Sequence, residues 1–532
     1  MKRQLSMFLM PGAVIFQKNV KNNGKLAKSV VYLKGCICFS EGESVTRHDF
    51  PKIHFYDQDF VDIYDKTWAW IEDCWNSGGE KSGIEGKFFS YPDVSSQAVT
   101  QVDAIYSSFF LVYSNRIYQA HPTLDLFYNR QEGNGAIRCA YDINSGAPVL
   151  ERENPEGLGI PLFAWAEHNI YHKSGNKKRV KDVMPILCKY SSWIDAVFKK
   201  PNGLYKVPLC TTGMTNSPRG DAYYAMDFNT MMAINMLYMS ALADILNDKE
   251  TSFNYKRQYF ALKTRINSLM WNAADGFYYD INKNEKQVTV KTIAGFWPLL
   301  AEIPNGEKAE RIIDKLSDPN YFGTPHPFPS LSVSEKDFDE NGRGFRGSVY
   351  PHLTFMVIKG LERYHRWDLA RECAIRHVYF MLDSMEPVKN SAAAAGGTAA
   401  GNHHKGSLWE AYMPIKEGPA KWTGKPAFPR SQYLTYDALS TICLIIENIV
   451  GLSISLPRKT VDWVIPNLEI MGVENLSLKN NMITILSNKS GRGWEIQMES
   501  EKLYYFTINI LNVKEKTLPI PSGKCSILID KL

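Results

Sequence analysis

A long succession of segments with helical spacing fills the centre of the chain, and it limits the possible folds more than any other feature. Between about residues 57 and 450, apolar side chains recur every three or four positions, as in helices that bury one face. The segment 226–246 is apolar almost all round, which predicts an inner helix. The clearest predicted helices cover residues 60–75, 103–118, 161–172, 180–198, 226–246, 255–271, 351–364, 367–381 and 433–450.

The helical segments predict a closed toroid. About eleven or twelve helices follow one another without parallel strands and without a repeat of fixed period, so an (α/α)6 barrel fits better than a solenoid. From about residue 456, short alternating segments with turn residues predict a small antiparallel β domain. We expect a mainly α fold with an irregular or β-rich leader at 1–55, whose best strand is 29–40, a catalytic-type barrel at 56–452 and a β-sandwich-like domain at 453–532.

Charge and hydropathy exclude several partners. The 532 residues include 61 basic and 56 acidic side chains, a net charge of +5 without a basic stripe, so nucleic acid is not an expected partner. We expect no membrane span, since no apolar run reaches the necessary length.

Residues 1–16 resemble a weak export signal, which favours a periplasmic or secreted protein, with a cytoplasmic location as the alternative. The 12 Trp and 28 Tyr suit sugar stacking or a large core equally.

Five segments combine aromatic, acidic and arginine side chains at predicted helix ends. Long loops in a helical domain usually carry function, which makes these segments the candidate site. They are QVDA at 101–104, the loop 213–221, GFWP at 295–298, the loop 322–347 and LWEAYMP at 408–414. The low-complexity segment 390–401 is either a surface loop or a mobile lid. The lid interpretation rests on its position, because the segment ends nine residues before Glu410.

In this order the segments resemble the inverting (α/α)6-barrel glycoside hydrolases of the trehalase, mannosylglycerate hydrolase and processing α-glucosidase group, the six-hairpin glycosidases that include family 63. The group's GMDNSPR is matched by GMTNSPR at 213–219, and its WExYxP by WEAYMP at 409–414. Further matches are VDA at 102–104, TLDLFYNRQ at 123–131, PLFAWAE at 161–167, GFWPLLAEIP at 295–304 and RGSVY at 346–350. The resemblance spans roughly residues 100 to 450.

The resemblance implies hydrolysis of an α-linked gluco- or manno-configured saccharide with inversion. One carboxylic acid protonates the leaving oxygen, and one carboxylate activates water on the opposite face of the sugar. The motif WExYxP places the general base at Glu410. The acid of GMDNSPR is replaced here by Thr215, whose hydroxyl is too weak an acid for this role. Three explanations remain open. The acid is relocated to Asp221 or Asp227, the chain is a degenerate, non-catalytic carbohydrate-binding protein, or the substrate has a leaving group that needs little protonation.

The other matched positions imply substrate binding. Carboxylate, guanidinium and aromatic side chains would bind sugar hydroxyls and ring faces at Asp103, Arg219, Phe296, Trp297, Arg346, Trp409 and Tyr412. Each of these side chains has an alternative structural role as an ion-pair brace or core aromatic. His326, His403 and His404 do not have a carboxylate at ligand spacing, so we expect no metal site and no cofactor. The sequence does not exclude a structural calcium ion bound by backbone oxygens.

Overall fold

The computed structural model describes residues 7–10, 13–22, 25–30, 50–79, 82–92, 97–114, 116–385, 407–458, 460–465, 470–478, 481–490, 493–501, 504–510, 514–520 and 522–529. The chain divides into two units, Met1–Arg47 and His48–Leu532. The first unit contains an antiparallel three-stranded sheet of β1 (Met7–Met10), β2 (Ala13–Asn22) and β3 (Lys25–Val30). Most of the predicted strand 29–40 lies outside the described residues, as do the segment 390–401, His403 and His404.

Within the described residues of the second unit, twelve α-helices lie between residues 58 and 438. They are α1 (Gln58–Cys74), α2 (Gln101–Leu111), α3 (Pro122–Tyr128), α4 (Phe163–Ser174), α5 (Lys177–Phe198), α6 (Met226–Leu246), α7 (Lys249–Leu269), α8 (Trp297–Leu300), α9 (Gly306–Ser317), α10 (Pro351–Arg363), α11 (Trp367–Asp383) and α12 (Leu434–Ala438). A π-helix, Leu439–Ile449, continues α12. None of these helices is long and apolar enough to cross a bilayer.

The even-numbered helices form the inner ring of the barrel. Each of α2, α4, α6, α8, α10 and α12 packs against the next, and α12 returns to α2. The odd-numbered helices alternate with them along the chain. Helix α9 buries only the stripe of Ala309, Ile312, Ile313 and Leu316, whereas most of α6 is buried, as its all-round apolar sequence requires. This closed ring confirms the predicted (α/α)6 toroid.

Short strand pairs connect the helices, and longer strands follow the barrel. The short strands are β4 (Lys52–His54), β5 (Trp75–Gly78), β6 (Gly86–Phe89), β7 (Ala98–Thr100), β8 (Ala140–Asp142), β9 (Trp271–Asn272), β10 (Phe277–Tyr278), β11 (Asp280–Ile281) and β12 (Gln287–Val288). The C-terminal strands are β13 (Leu452–Ser455), β14 (Thr460–Ile465), β15 (Met471–Leu478), β16 (Asn481–Ser490), β17 (Gly493–Ser500), β18 (Tyr504–Ile510), β19 (Lys514–Ile520) and β20 (Gly523–Ile529).

The C-terminal strands form two sheets of order β13-β14-β18-β19 and β20-β17-β16-β15-β4. All their pairs are antiparallel except β14 with β18. Strand β4, from the segment ahead of the barrel, pairs with β15. The indole N–H of the buried Trp463 donates to the Val450 carbonyl at 2.8 Å, which joins β14 to the end of the π-helix. The small β domain is therefore bonded to both ends of the helical region.

Candidate active site

Glu410 lies in the loop ahead of α12, where it forms a bidentate ion pair with Arg430. The Arg430 Nε donates to Glu410 Oε2 at 2.9 Å, and Nη2 donates to Oε1 at 2.8 Å. The two chain segments are also joined by the Glu410 N–H, which donates to the Arg430 carbonyl at 2.9 Å. The Glu410 side chain is 13 % exposed. Its carboxylate is thus fixed in orientation while part of it still meets solvent.

Aromatic side chains surround this ion pair. The Arg430 guanidinium lies 3.6 Å from the centroid of the Tyr433 ring, a close cation–π contact. Tyr433 packs against Tyr436 at 4.6 Å, and Tyr436 stacks on His352 at 3.6 Å. Neighbouring ring contacts, stacked for Phe345 with Tyr350 and edge-to-face or tilted for the others, continue through Phe428 and Trp422. Several of these rings are partly exposed, so they offer flat apolar faces of the kind that sugar rings stack on.

Burial shifts the pKa values of two titratable groups near Glu410, Asp437 and His352, in the direction that favours their neutral forms. Burial, followed by the charge of Glu410, raises the pKa of the Asp437 carboxyl well above its usual value. Burial, followed by the charge of Arg430, lowers the pKa of His352 well below its usual value. Both Asp437 oxygens and the His352 Nδ1 have no hydrogen-bond partner in the described part of the chain. Buried polar atoms without partners are rare in proteins, and they mark places where water or a ligand binds.

The sequence did not identify Arg430, His352 or Asp437 as site residues. Arg430 follows a proline-rich loop that carries no matched motif. The sequence does contain a sign of Asp437, because it is one of two acidic residues in the mostly apolar segment 434–449. An acid on the buried side of such a helix is costly unless it is neutral or paired.

Thr215, at the position of the group's catalytic acid, is exposed on the loop before α6. The next residue connects this loop to the segment carrying Arg346. Asn216 Nδ2 donates to the Arg343 carbonyl at 2.7 Å, and Asn216 Oδ1 accepts from the Phe345 N–H at 2.7 Å. Phe345 in turn stacks on Tyr350 at 4.4 Å. The Thr215 loop is therefore connected by contacts to the aromatic side chains near Glu410.

Asp227 and Arg219 form a fully buried ion cluster with Asp280. Arg219 Nη2 lies 2.5 Å from Asp227 Oδ2, and Nη1 lies 3.5 Å from Asp280 Oδ1. Asp227 also accepts from the Thr212 hydroxyl at 2.5 Å. Burial raises the pKa of Asp280, although Arg219 opposes that shift. The oxygens of Asp227 are occupied, and the Arg219 side chain is 1 % exposed, so both residues anchor the loop in this structure.

Asp221 is exposed two residues beyond Arg219. No described residue hydrogen-bonds its carboxylate. The loop is anchored on either side, by Arg219 in the buried cluster and by Tyr224, whose N–H donates to the Ile281 carbonyl at 2.9 Å. Asp221 thus has an unoccupied carboxylate on a loop fixed at both ends.

Asp103 lies at the start of α2, beside α12. Its Oδ1 accepts from the Thr435 hydroxyl at 2.6 Å, and its Oδ2 accepts from the Thr100 hydroxyl at 2.8 Å within a capping box. Burial is the main cause that raises the pKa of the Asp103 carboxyl. Asp103 therefore joins two inner helices at the end of the barrel that carries Glu410.

The other predicted binding residues divide by exposure. Phe296, Trp297 and Tyr412 are completely buried, and the Tyr412 hydroxyl accepts from the Trp409 N–H at 2.9 Å. Trp409 is half-buried, and its indole N–H has no partner among the described residues. Arg346 is half-buried and pairs with Asp337 at 2.5 Å. Within the described structure, Trp409 and Arg346 are thus the two of these five side chains that reach solvent.

No group of three metal-ligating side chains occurs within the described residues. His326 is buried, and its Nε2 lies 2.7 Å from Nδ1 of His377. Burial, followed by His377, lowers the pKa of His326 well below its usual value. The sequence-predicted histidine at this position therefore belongs to a buried pair of neutral imidazoles.

Comparison with known families agrees with the barrel and its loops. The family model of the mannosylglycerate hydrolase MGH1-like glycoside hydrolase domain matches residues 158–428, half of the chain. The chain belongs to this glycoside hydrolase family. A second family model, the trehalase C-terminal domain, matches residues 451–532 and covers the strands after the barrel. The resemblance expected from the motifs is thereby confirmed.

Two individual relatives match the chain in sequence. An uncharacterised protein of Borreliella burgdorferi is 53 % identical over 91 % of this chain and 99 % of its own length. A cytosolic neutral trehalase of Kluyveromyces lactis is 30 % identical, over 47 % of this chain and 37 % of the trehalase.

Solved structures share the fold at low identity. A GH63 mannosylglycerate hydrolase of Thermus thermophilus aligns with a TM-score of 0.55 and 16 % identity, over 72 % of this chain and 99 % of that one. A GH78 family rhamnosidase of a Bacillus species aligns with a TM-score of 0.60 and 14 % identity, over 91 % of this chain and 44 % of that one.

Proposed function

We propose that this family member hydrolyses an α-linked gluco- or manno-configured saccharide with inversion, with Glu410 as the general base. The observation that carries the proposal is the position of Glu410, which is oriented by Arg430, partly exposed and surrounded by aromatic rings. A base in an inverting enzyme must hold a water against the sugar. A carboxylate with fixed orientation and residual exposure meets that requirement.

The general acid in this proposal is Asp221. Thr215 occupies the family position but cannot supply a proton at neutral pH. Asp227 is fully buried and its oxygens are bonded to Arg219, Thr212 and the Phe228 N–H. Asp221 is exposed on the same loop and has an unoccupied carboxylate among the described residues. It is the solvent-exposed acidic side chain of this loop.

The second candidate is a sugar-binding protein without catalysis, and the exposed Thr215 in place of the acid favours it. The two candidates predict different results with the same ligands. A hydrolase converts its substrate to product, whereas a binding protein gives saturable heat in calorimetry without product.

The test of the base is Glu410→Gln, assayed on a panel of α-glucosides and α-mannosides that includes trehalose and mannosylglycerate. We expect hydrolysis to fall by ~10²–10⁴-fold, the usual contribution of general-base catalysis. Glu340→Gln, which changes an exposed glutamate, is the matched control and should retain activity. NMR should detect the β-anomer as the first product of an α-linked substrate. Activity above about a tenth of wild type in Glu410→Gln contradicts the assignment.

A further inference from the structure

Trp422 lies on the loop that follows Glu410, and its side chain is half-buried. This loop turns back onto the Glu410 segment, where the Ala420 N–H donates to the Ala411 carbonyl at 3.0 Å. Both alanines are buried, so the contact is part of the packed interior. The proposed general base and the indole of Trp422 are therefore carried by two segments that are hydrogen-bonded to each other.

The same loop is also bonded to the segment that leads to Gly344. The Lys421 N–H donates to the Asn341 carbonyl at 2.8 Å, and the Lys421 carbonyl accepts from the Arg343 N–H at 3.2 Å. Because Trp422 follows Lys421 directly, these bonds fix the backbone that carries the indole. The indole is thus held between the Glu410 segment and the segment of Gly344.

Gly344 is the position at which Trp422 meets the loop of Thr215. A Cβ atom on Gly344 would lie 2.7 Å from Trp422 Cζ3 and 2.8 Å from Asn216 Oδ1, so both side chains pack directly against this glycine. The φ angle of Gly344 is +66°, in the left-handed region that glycine adopts without a steric penalty. Trp422 and the residue after Thr215 therefore lie against the same backbone position.

The surroundings of the indole leave ring surface for a further contact. The Lys425 Nζ lies over one face, 4.1 Å from the ring centroid, in a cation–π contact. Phe428 meets the indole edge-to-face, with centroids 5.8 Å apart. Trp422 is nevertheless only half-buried. The ring is therefore held in a fixed orientation by its neighbours and still meets solvent.

The contact at Gly344 places the indole on the leaving-group side of the proposed reaction. In an inverting glycosidase the base and its water lie on one side of the scissile bond, and the leaving oxygen departs on the other side, beside the acid. Thr215, at the family position of the acid, and Asp221, the proposed acid, belong to the loop that packs on Gly344 through Asn216. Trp422 shares that contact, so it lies where the second sugar of a disaccharide would extend.

We propose that Trp422 binds the second sugar of an α-linked disaccharide by stacking on its ring, and that it thereby favours substrates whose leaving group is itself a sugar. This inference rests on the proposed function, since Glu410 and Asp221 define the side on which the leaving group lies. The C–H face of a sugar ring is removed from water when it covers an aromatic ring, which is favourable. A leaving group without a ring, such as fluoride, makes no such contact.

The test compares disaccharides with glycosyl fluorides in steady-state hydrolysis. The disaccharides are trehalose, maltose and an α-linked mannobiose, and the fluorides are α-glucosyl and α-mannosyl fluoride. For Trp422→Ala we expect KM for a disaccharide to rise by about tenfold or more, because an apolar contact is lost. The value of kcat/KM for the fluoride should stay within about twofold. Trp422→Phe, which keeps a ring, should change KM by less than about threefold, and Trp367→Ala, at an exposed tryptophan, should match the wild type.

The outcomes separate this inference from the proposed function. An unchanged KM for the disaccharides in Trp422→Ala overturns the inference and leaves the proposed function intact. An equal loss on disaccharides and fluorides also overturns it, because Trp422 then only supports the fold.

Calorimetric titration of the Glu410→Gln protein with the same disaccharides tests the contact without catalysis. Binding that the added Trp422→Ala change weakens by about tenfold supports the stacking on Trp422. Absent binding, or an affinity that Trp422→Ala does not change, overturns the inference. Failure of the proposed function has a different result, since the wild type would then hydrolyse neither the disaccharides nor the fluorides.

Discussion

The guanidinium of Arg430 lies between the Glu410 carboxylate, which it meets through two hydrogen bonds, and the ring of Tyr433 at 3.6 Å. Burial on its own would lower the pKa of Arg430, but Tyr433 and Glu410 reverse that effect and raise it. The arginine is therefore a permanent cation, and it determines where the carboxylate of Glu410 points.

Arg430→Lys should lower kcat/KM by about tenfold or more, because an ammonium group cannot reproduce the planar fork or the stacking on Tyr433. The measurement is steady-state hydrolysis, with circular dichroism to confirm folding. Arg152→Lys, at an exposed position, is the control. Unchanged activity in Arg430→Lys would show that orientation of Glu410 by the fork is unimportant.

Asp221→Asn should lower hydrolysis of natural glycosides by ~10²–10⁴-fold, the usual contribution of general-acid catalysis. A substrate with a leaving group that needs no proton, such as a glycosyl fluoride, should be much less affected. Asp182→Asn, on the exposed face of α5, should behave as wild type does on both substrates. An equal loss on both substrates in Asp221→Asn would exclude a role in protonation.

Asp437→Asn should change the pH dependence of stability in a defined direction. Since the pKa of Asp437 is raised in the folded chain, wild-type stability is greatest below the unfolded value of 3.8 and falls as pH rises through the folded value. Between the unfolded and the folded pKa values of Asp437, the wild-type free energy of unfolding should fall by about 1.4 kcal/mol per pH unit relative to the variant. Urea denaturation at a series of pH values measures the slope, and Asp314→Asn is the exposed control. A pH-independent difference would contradict a raised pKa of Asp437 in the folded chain.

Arg219→Met should destabilise the protein by ~3–5 kcal/mol, because it leaves the buried carboxylates of Asp227 and Asp280 without their cation. Chemical denaturation measures the loss, with Arg257→Met as the exposed control. A loss below about 1 kcal/mol, the level of surface ion pairs, would contradict the structural role of Arg219.

Helix positions were predictable where the apolar pattern is long. The bounds of α6 agree with the predicted segment 226–246, and α10 ends one residue before its prediction. Helices α3, α8 and α9 were not among the clearest predictions. Helix α8 has only four residues, too few for a helical period to show. The pairing of β4 with β15 joins residues more than 400 positions apart, which no local pattern predicts.

The site was predictable only in part. The motifs predicted that the candidate site residues lie on loops at helix ends, and these loops precede or open inner helices. Whether a carboxylate is open or already bonded depends on distant partners, as the contrast between Asp221 and Asp227 shows. Likewise, the partner of Glu410 lies 20 residues farther along the chain, in a loop whose sequence carries no motif.

The pairing of β4 with β15 has a consequence for the mechanical unity of the second unit. The strand ahead of α1 is hydrogen-bonded to the sheet that follows the π-helix. This pairing holds the two ends of the helical region together. Separation of the first and last helices of the ring therefore also requires the hydrogen bonds between β4 and β15 to break. The β domain therefore links the two ends of the toroid, and we expect the barrel and the β domain to unfold in a single thermal transition.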